Sequence, residues 1–78
     1  MSVLHIGTAT TLATVLTSAI SNNDVAYIWL EHYTRKMVFD SISTKAEDIV
    51  NHPYYVRPDD YDESGGPPVI GVWIEETG

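Results

Sequence analysis

Carboxylates and aromatic rings are the groups through which this chain could do chemistry. Asp59, Asp60, Asp62 and Glu63 form an acidic run around Tyr61, which Glu75 and Glu76 would extend if the end of the chain lies nearby. Paired carboxylates do acid–base work only where a cleft separates their pKa values, and a short charged run is by default a solvated loop. The functional form of such a run is electrostatic: carboxylates stand in for nucleic-acid phosphates and occupy a basic groove, with Tyr61 as an anchor. Asp60-Tyr61-Asp62-Glu63-Ser64-Gly65 also opens like a calcium loop, but the twelfth place is Gly71 where a bidentate glutamate is required, and Pro67 and Pro68 intervene.

Rings form the second group. Tyr27, Trp29 and Tyr33 alternate along one segment, Trp73 lies in the last apolar stretch, and Tyr54 and Tyr55 precede the acidic run. Trp and Tyr at alternate strand positions offer rigid, amphipathic contact area of the kind that anchors protein interfaces. The competing expectation is that the chain after Pro53 folds back over them.

Catalysis and cofactor binding find little support. His5, His32 and His52 are far apart in sequence, there is no cysteine, and there is neither a Gly-x-Ser-x-Gly elbow nor a phosphate loop. No catalytic residue, metal or cofactor is expected, and the chain is read as a non-enzymatic protein.

The elements that must position these groups fit in one small domain, since 78 residues can form a single modest core. Lack of cysteine leaves packing alone to hold it and suits a reducing, cytoplasmic setting, the host cytoplasm for a phage-encoded protein. The first 23 residues carry no Asp, Glu, Lys or Arg, yet threonine and serine interrupt every apolar run, so neither a leader nor a membrane span is expected. Net charge is −7, and all of it arises in residues 40–78, where nine acids face Lys45 and Arg57. Such a chain is repelled by phosphate backbones and drawn to basic protein surfaces.

Ser2 to Ile6 reads as a strand ended by Gly7. Leu12, Val15, Leu16, Ala19 and Ile20 keep helical spacing, with Thr8 or Thr10 to cap the helix and Asn22 and Asn23 to end it. Val25 to Tyr33 is rich in strand formers, although a helix there is the rival, and Met37 to Ile42 reads as its hairpin partner through Thr34, Arg35 and Lys36. Thr44-Lys45-Ala46-Glu47 fits the capping box of a short second helix stopped by Pro53. Residues 53–68 form a long acidic loop, and Val69 to Glu75 a last strand.

The fold class expected is therefore α+β, a small antiparallel sheet with two helices on one face, in the βαββαβ order of ferredoxin-like domains. That arrangement assigns Ala26, Ile28, Leu30, Ile70, Val72 and Ile74 to the core and leaves Tyr27, Trp29, Tyr33 and Trp73 on the open face. The function expected is a binding protein: an inhibitor of a nucleic-acid-handling complex, in the character of phage anti-defence and anti-CRISPR proteins or of DNA mimics. Its partner is expected to be a protein with a basic surface, such as a nuclease or CRISPR effector, with no direct contact to nucleic acid or membrane. The alternative is an assembly subunit that pairs with its own copies through the aromatic face.

Overall fold

The computed structural model describes residues 3–30 and 32–76. Five strands form one sheet in the order β1-β2-β3-β5-β4, namely β1 (Val3–Gly7), β2 (Val25–Leu30), β3 (Tyr33–Asp40), β4 (Tyr55–Val56) and β5 (Val72–Glu75). The strands from β2 to β4 pair antiparallel, and β1 lies parallel to β2 at the edge. A parallel neighbour requires a crossover, and residues 8–24 supply it through one helix, α1 (Ala9–Ala13), and a 3-10 turn at Thr17–Ala19.

This arrangement corrects the expected fold class, because there are not two helices packed on a ferredoxin-like sheet. The helix expected to reach Ile20 stops after five residues. Thr8 and Thr11 close a reciprocal capping box at its start, but Thr14 Oγ1 donates back to Thr11 O at 2.6 Å and competes with the backbone. β-branched Thr10, Thr11, Thr14, Val15 and Thr17 are weak helix formers, and a single turn has no cooperative length behind it.

The second helix is absent altogether: residues 43–47 have no regular structure, and Asp48 forms a bridge with Tyr55. Asp48 Oδ1 accepts from Val50 N at 2.9 Å and Asn51 N at 3.0 Å, so the chain turns locally instead of winding. The segment expected to be a loop contributes β4, and it is tied down by reciprocal Asp62–Val69 backbone bonds of 2.8 Å. The peptides before Pro53 and Pro67 are cis.

The β2–β3 hairpin forms as strand composition requires, but it reverses earlier than the expected Thr34–Lys36 turn. Leu30 pairs with Tyr33, and His32 adopts φ 69°, the left-handed conformation a tight hairpin needs. Glu31 and the side chain of Leu30 lie outside the described residues.

Strand alternation sorts the side chains onto two faces. Ala26, Ile28, Met37, Phe39, Val56 and Trp73 join Leu12, Ala9, Ala13 and Tyr54 in one continuous buried cluster beneath α1. Each large apolar side chain sealed there stabilises the fold by about 1.5–3 kcal/mol. Among the described residues no helix is long and apolar enough to cross a membrane.

Candidate functional site

The face turned away from α1 carries the exposed Trp29 and a row of half-buried apolar side chains. Register places Val25, Val38, Ile74 and Tyr55 in one row across four strands, with Tyr27 opposite Lys36 and Trp29 opposite Thr34 in the rows beyond. Val25 is buried, Tyr27, Val38, Ile74 and Tyr55 are half-buried, and Trp29 is 55% exposed. A shallow depression of ≈ 370 Å³ runs beside this row, lined by Asn22, Asn23, Val38, Asp40, Ile74 and Glu76 among others. Lys36 Nζ and Glu76 Oε2 form a 3.1 Å ion pair at its margin.

Not every ring expected here is present. Trp73 is fully buried on the opposite face, with its indole edge-to-face on Phe39 at 5.2 Å. In the last strand Trp73 is buried and Ile74 only half-buried, the reverse of what was expected for these two, whereas Val72, expected in the core, is fully buried. Trp73 pairs with Phe39 and Val56, so Ile74 takes the open side. An indole removes more apolar area from water than an isoleucine, which favours this choice. Gly71 makes it feasible: at φ 126° it packs so closely on Phe39 that a Cβ there would lie 2.3 Å from the ring.

Tyr54 is likewise sealed, with its ring 4.3 Å from that of His52. Tyr33 is 64% exposed, but alternation places it with Arg35, Met37 and Phe39, and the Arg35 guanidinium lies 5.2 Å from its ring. It belongs to the rim of the covered face. Of the expected contact rings, Tyr27, Trp29 and Tyr55 share the open face.

The acidic run lies on the helix side, away from Trp29, because Asp59 N donates to Ala13 O at 2.8 Å. Its carboxylates largely serve the fold. Asp60 accepts from Thr17 Oγ1 at 2.8 Å and Thr17 N at 3.2 Å, Asp62 from Ser64 Oγ at 2.8 Å, and Glu63 from the Tyr61 hydroxyl at 2.8 Å. The Ser64 hydroxyl and amide hold Asp62 below its ordinary pKa. Desolvation first, and then its bond to Glu63, raise the Tyr61 phenol. Arg57 stacks 4.0 Å from the Tyr61 ring and donates to Thr44 O and Lys45 O at 2.8 Å, so Tyr61 is a clasp for the connector. Asp59 alone of the run has no side-chain partner among the described residues.

A further polar cluster was not anticipated. Glu75, 7% exposed, accepts from His52 Nδ1 at 2.8 Å and Tyr54 N at 3.0 Å, and Arg35 Nη1 lies 3.8 Å from its second oxygen. Desolvation pushes the Glu75 carboxyl up, but the bonds from His52 and Tyr54 and the charges of His52 and Arg35 outweigh it and hold the group below its ordinary value. A histidine aligned by a buried carboxylate is the orienting half of a general base. Here the bonds from His52 and Tyr54 to Glu75 fasten the 48–54 turn to β5 as a latch. The signal becomes readable only once Trp73 is known to face inward: a carboxylate two residues later then points inward too and requires a cationic partner.

The chain matches no family model, no curated protein and no solved structure, so the functional reading rests on this geometry.

Proposed function

We propose that the chain is a non-enzymatic binding protein that seats a protein partner on its open sheet face, with Trp29 as the anchor. The observation that carries this reading is the exposure of Trp29, 55%, beside Tyr27 and the Val38–Ile74–Tyr55 row on a face that α1 does not cover. Aromatic anchors surrounded by half-buried apolar neighbours are the composition of interface hot spots.

Charge selects the partner. At −7 the chain repels its own copies and phosphate backbones, and it steers toward basic protein surfaces, including the channels of proteins that handle nucleic acid. Blocking such a channel is the inhibitory form of this function. In that form the aromatic face would hold the complex and the overall acidity would speed its formation.

The test compares capture by the wild-type chain and by Trp29→Ala in the native host, followed by affinity measurement on whatever the wild type retains. Loss of a hot-spot ring weakens such a complex by about thirtyfold, mostly through faster dissociation, and raising salt slows association. Equal affinity of the two chains for the retained partner refutes the reading. A salt-resistant homodimer in sedimentation, with Trp29 shielded from acrylamide, would instead establish self-assembly through this face.

A further inference from the structure

The two edges of the sheet are finished differently. β4 closes one end of the strand order and is only two residues long. Tyr55 already exchanges both backbone bonds with Asp48, at 2.7 and 2.9 Å, on the side away from β5, and Pro53 and Pro58 flank the strand. Short length, proline and a covering segment are the devices that stop a sheet from adding strands. β1 closes the other end without proline or a charged residue along its five residues, Val3–Gly7. Its register with β2 shifts once, between Val3 and His5, and is regular from His5 to Gly7. Among the described elements β1 touches only β2 and α1, and α1 touches β2 and β4 as well, so the helix lies over the sheet and not along this edge. Alternate residues of an edge strand turn N–H and C=O away from the sheet, and an extended chain is the ligand that matches their spacing.

We propose that β1 pairs antiparallel with β1 of a second copy about a two-fold axis, joining the two five-stranded sheets edge to edge. The distribution of charge favours this occupant. Asp24 is the only charged residue between Met1 and Leu30, so β1 and both elements it touches carry none, in a chain of net charge −7. A basic strand from another protein gains its electrostatic energy at residues 40–78, where the acids are, and not at this edge. An equally uncharged strand arrives without stripping water from an ion, and the copy's own β1 is such a strand, matched in length.

Antiparallel pairing makes the contact isologous. Each β1 edge is then consumed by the other, and growth stops at two because the β4 edges are closed. Repulsion between the acidic halves of the two copies remains, but salt screens it. The dimer is therefore weak at low salt and tightens as salt rises, the opposite of a complex assembled by charge. A strand pair of this size belongs at the weak end of protein association. Edge pairing does not cover the open sheet face, so the inference is independent of the reading of Trp29.

The experiment is sedimentation of the whole chain from about 10 μM to about 1 mM, in low and in high salt, with amide hydrogen exchange at both ends of that range. A monomer–dimer equilibrium is expected, stronger in high salt and with Trp29 still quenched by acrylamide. Protection should rise with concentration at the amides of Val3–Gly7 and stay constant at Tyr55 and Val56. His5→Lys sets like charges across the strand pair and should weaken the dimer about fivefold. Asn51→Lys makes the same change of net charge on the exposed 48–54 turn and should not weaken it. Protection of Trp73 from acrylamide reports that each variant keeps its fold, and the exchange pattern of the wild type decides the question without either. A monomer throughout, a dimer that salt weakens, β1 amides left unprotected in the dimer, shielding of Trp29, or species larger than two would each overturn the pairing. So would equal weakening by the two lysine variants. Protection of β1 only when a captured partner is added would assign the edge to a strand of that partner instead.

Discussion

The two tryptophans lie on opposite faces of one sheet, and the contrast between them describes the molecule. Trp73 is closed in by Phe39, Val56 and the chain around α1, while Trp29 stands 55% exposed on a face with no helix over it. The same residue type is thus sealed in the core on one face and left largely in water on the other. Each face has also drawn different polar residues to it: the helix side holds the bonded carboxylates of the connector, and the open side holds the Lys36–Glu76 pair, Asn22, Asn23 and Asp40 beside its apolar row. An acidic chain is therefore not acidic everywhere to the same purpose. Most connector carboxylates serve as caps and clasps, and the aromatic face stands apart from them.

The contrast predicts a graded series in urea unfolding. Trp73→Ala should cost about 3–5 kcal/mol, the range for emptying a buried aromatic site. A loss near zero would mean that the covered face is not the core. Glu75→Gln should cost about 1–3 kcal/mol by leaving Arg35 and His52 without their buried carboxylate. It should also reduce the acid sensitivity of the fold. The folded pKa of Glu75 lies below its ordinary value of 4.5, so its contribution is present above that pH and is lost as the pH falls through the depressed folded value. Wild type should therefore lose stability in that acidic window, and the variant should lose less.

Asp60→Ala should cost about 1 kcal/mol, as for the loss of a capping carboxylate, by releasing the amide and hydroxyl of Thr17. The smallest effect belongs to Trp29→Ala, within about 0.5 kcal/mol, because the ring is largely in water already. Acrylamide sharpens the same comparison: it should quench Trp29 and leave Trp73 protected, and equal quenching of the two would erase the difference between the faces.

Several features were legible from residue order. The strand across residues 25–30 and its antiparallel partner follow from β-branched and aromatic alternation, and the capping threonine at position 8 marks where α1 begins. The second helix was misread because Thr44-Lys45-Ala46-Glu47 satisfies a local capping pattern, whereas Asp48, bridged to Tyr55, bonds the amides of Val50 and Asn51. The connector is irregular chain apart from the two residues of β4, as expected, but its order was not legible because it comes from partners distant in sequence: Thr17 for Asp60, Thr44 and Lys45 for Arg57, and β5 for β4. Strand periodicity was enough to place Tyr27 and Trp29 on one face, while the His52–Glu75–Arg35 latch, spread over the chain, was not legible.

Composition and local pattern are enough to dictate the charge, the need to hold the fold without disulfides, the hairpin strands and the alternation within the last strand, because these depend on residue type and near neighbours. The facing of that strand depends on pairing register, since a side-chain period of two lets a single residue of shift exchange inside for outside. Only when Phe39, Val56 and Gly71 were brought together was Trp73 assigned to the interior and Ile74 to the surface. The carboxylates follow a related rule: Asp60 is secured by Thr17, distant in sequence, and Asp48 by the nearby amide of Val50, while Glu47 and Asp59 have no side-chain partner among the described residues.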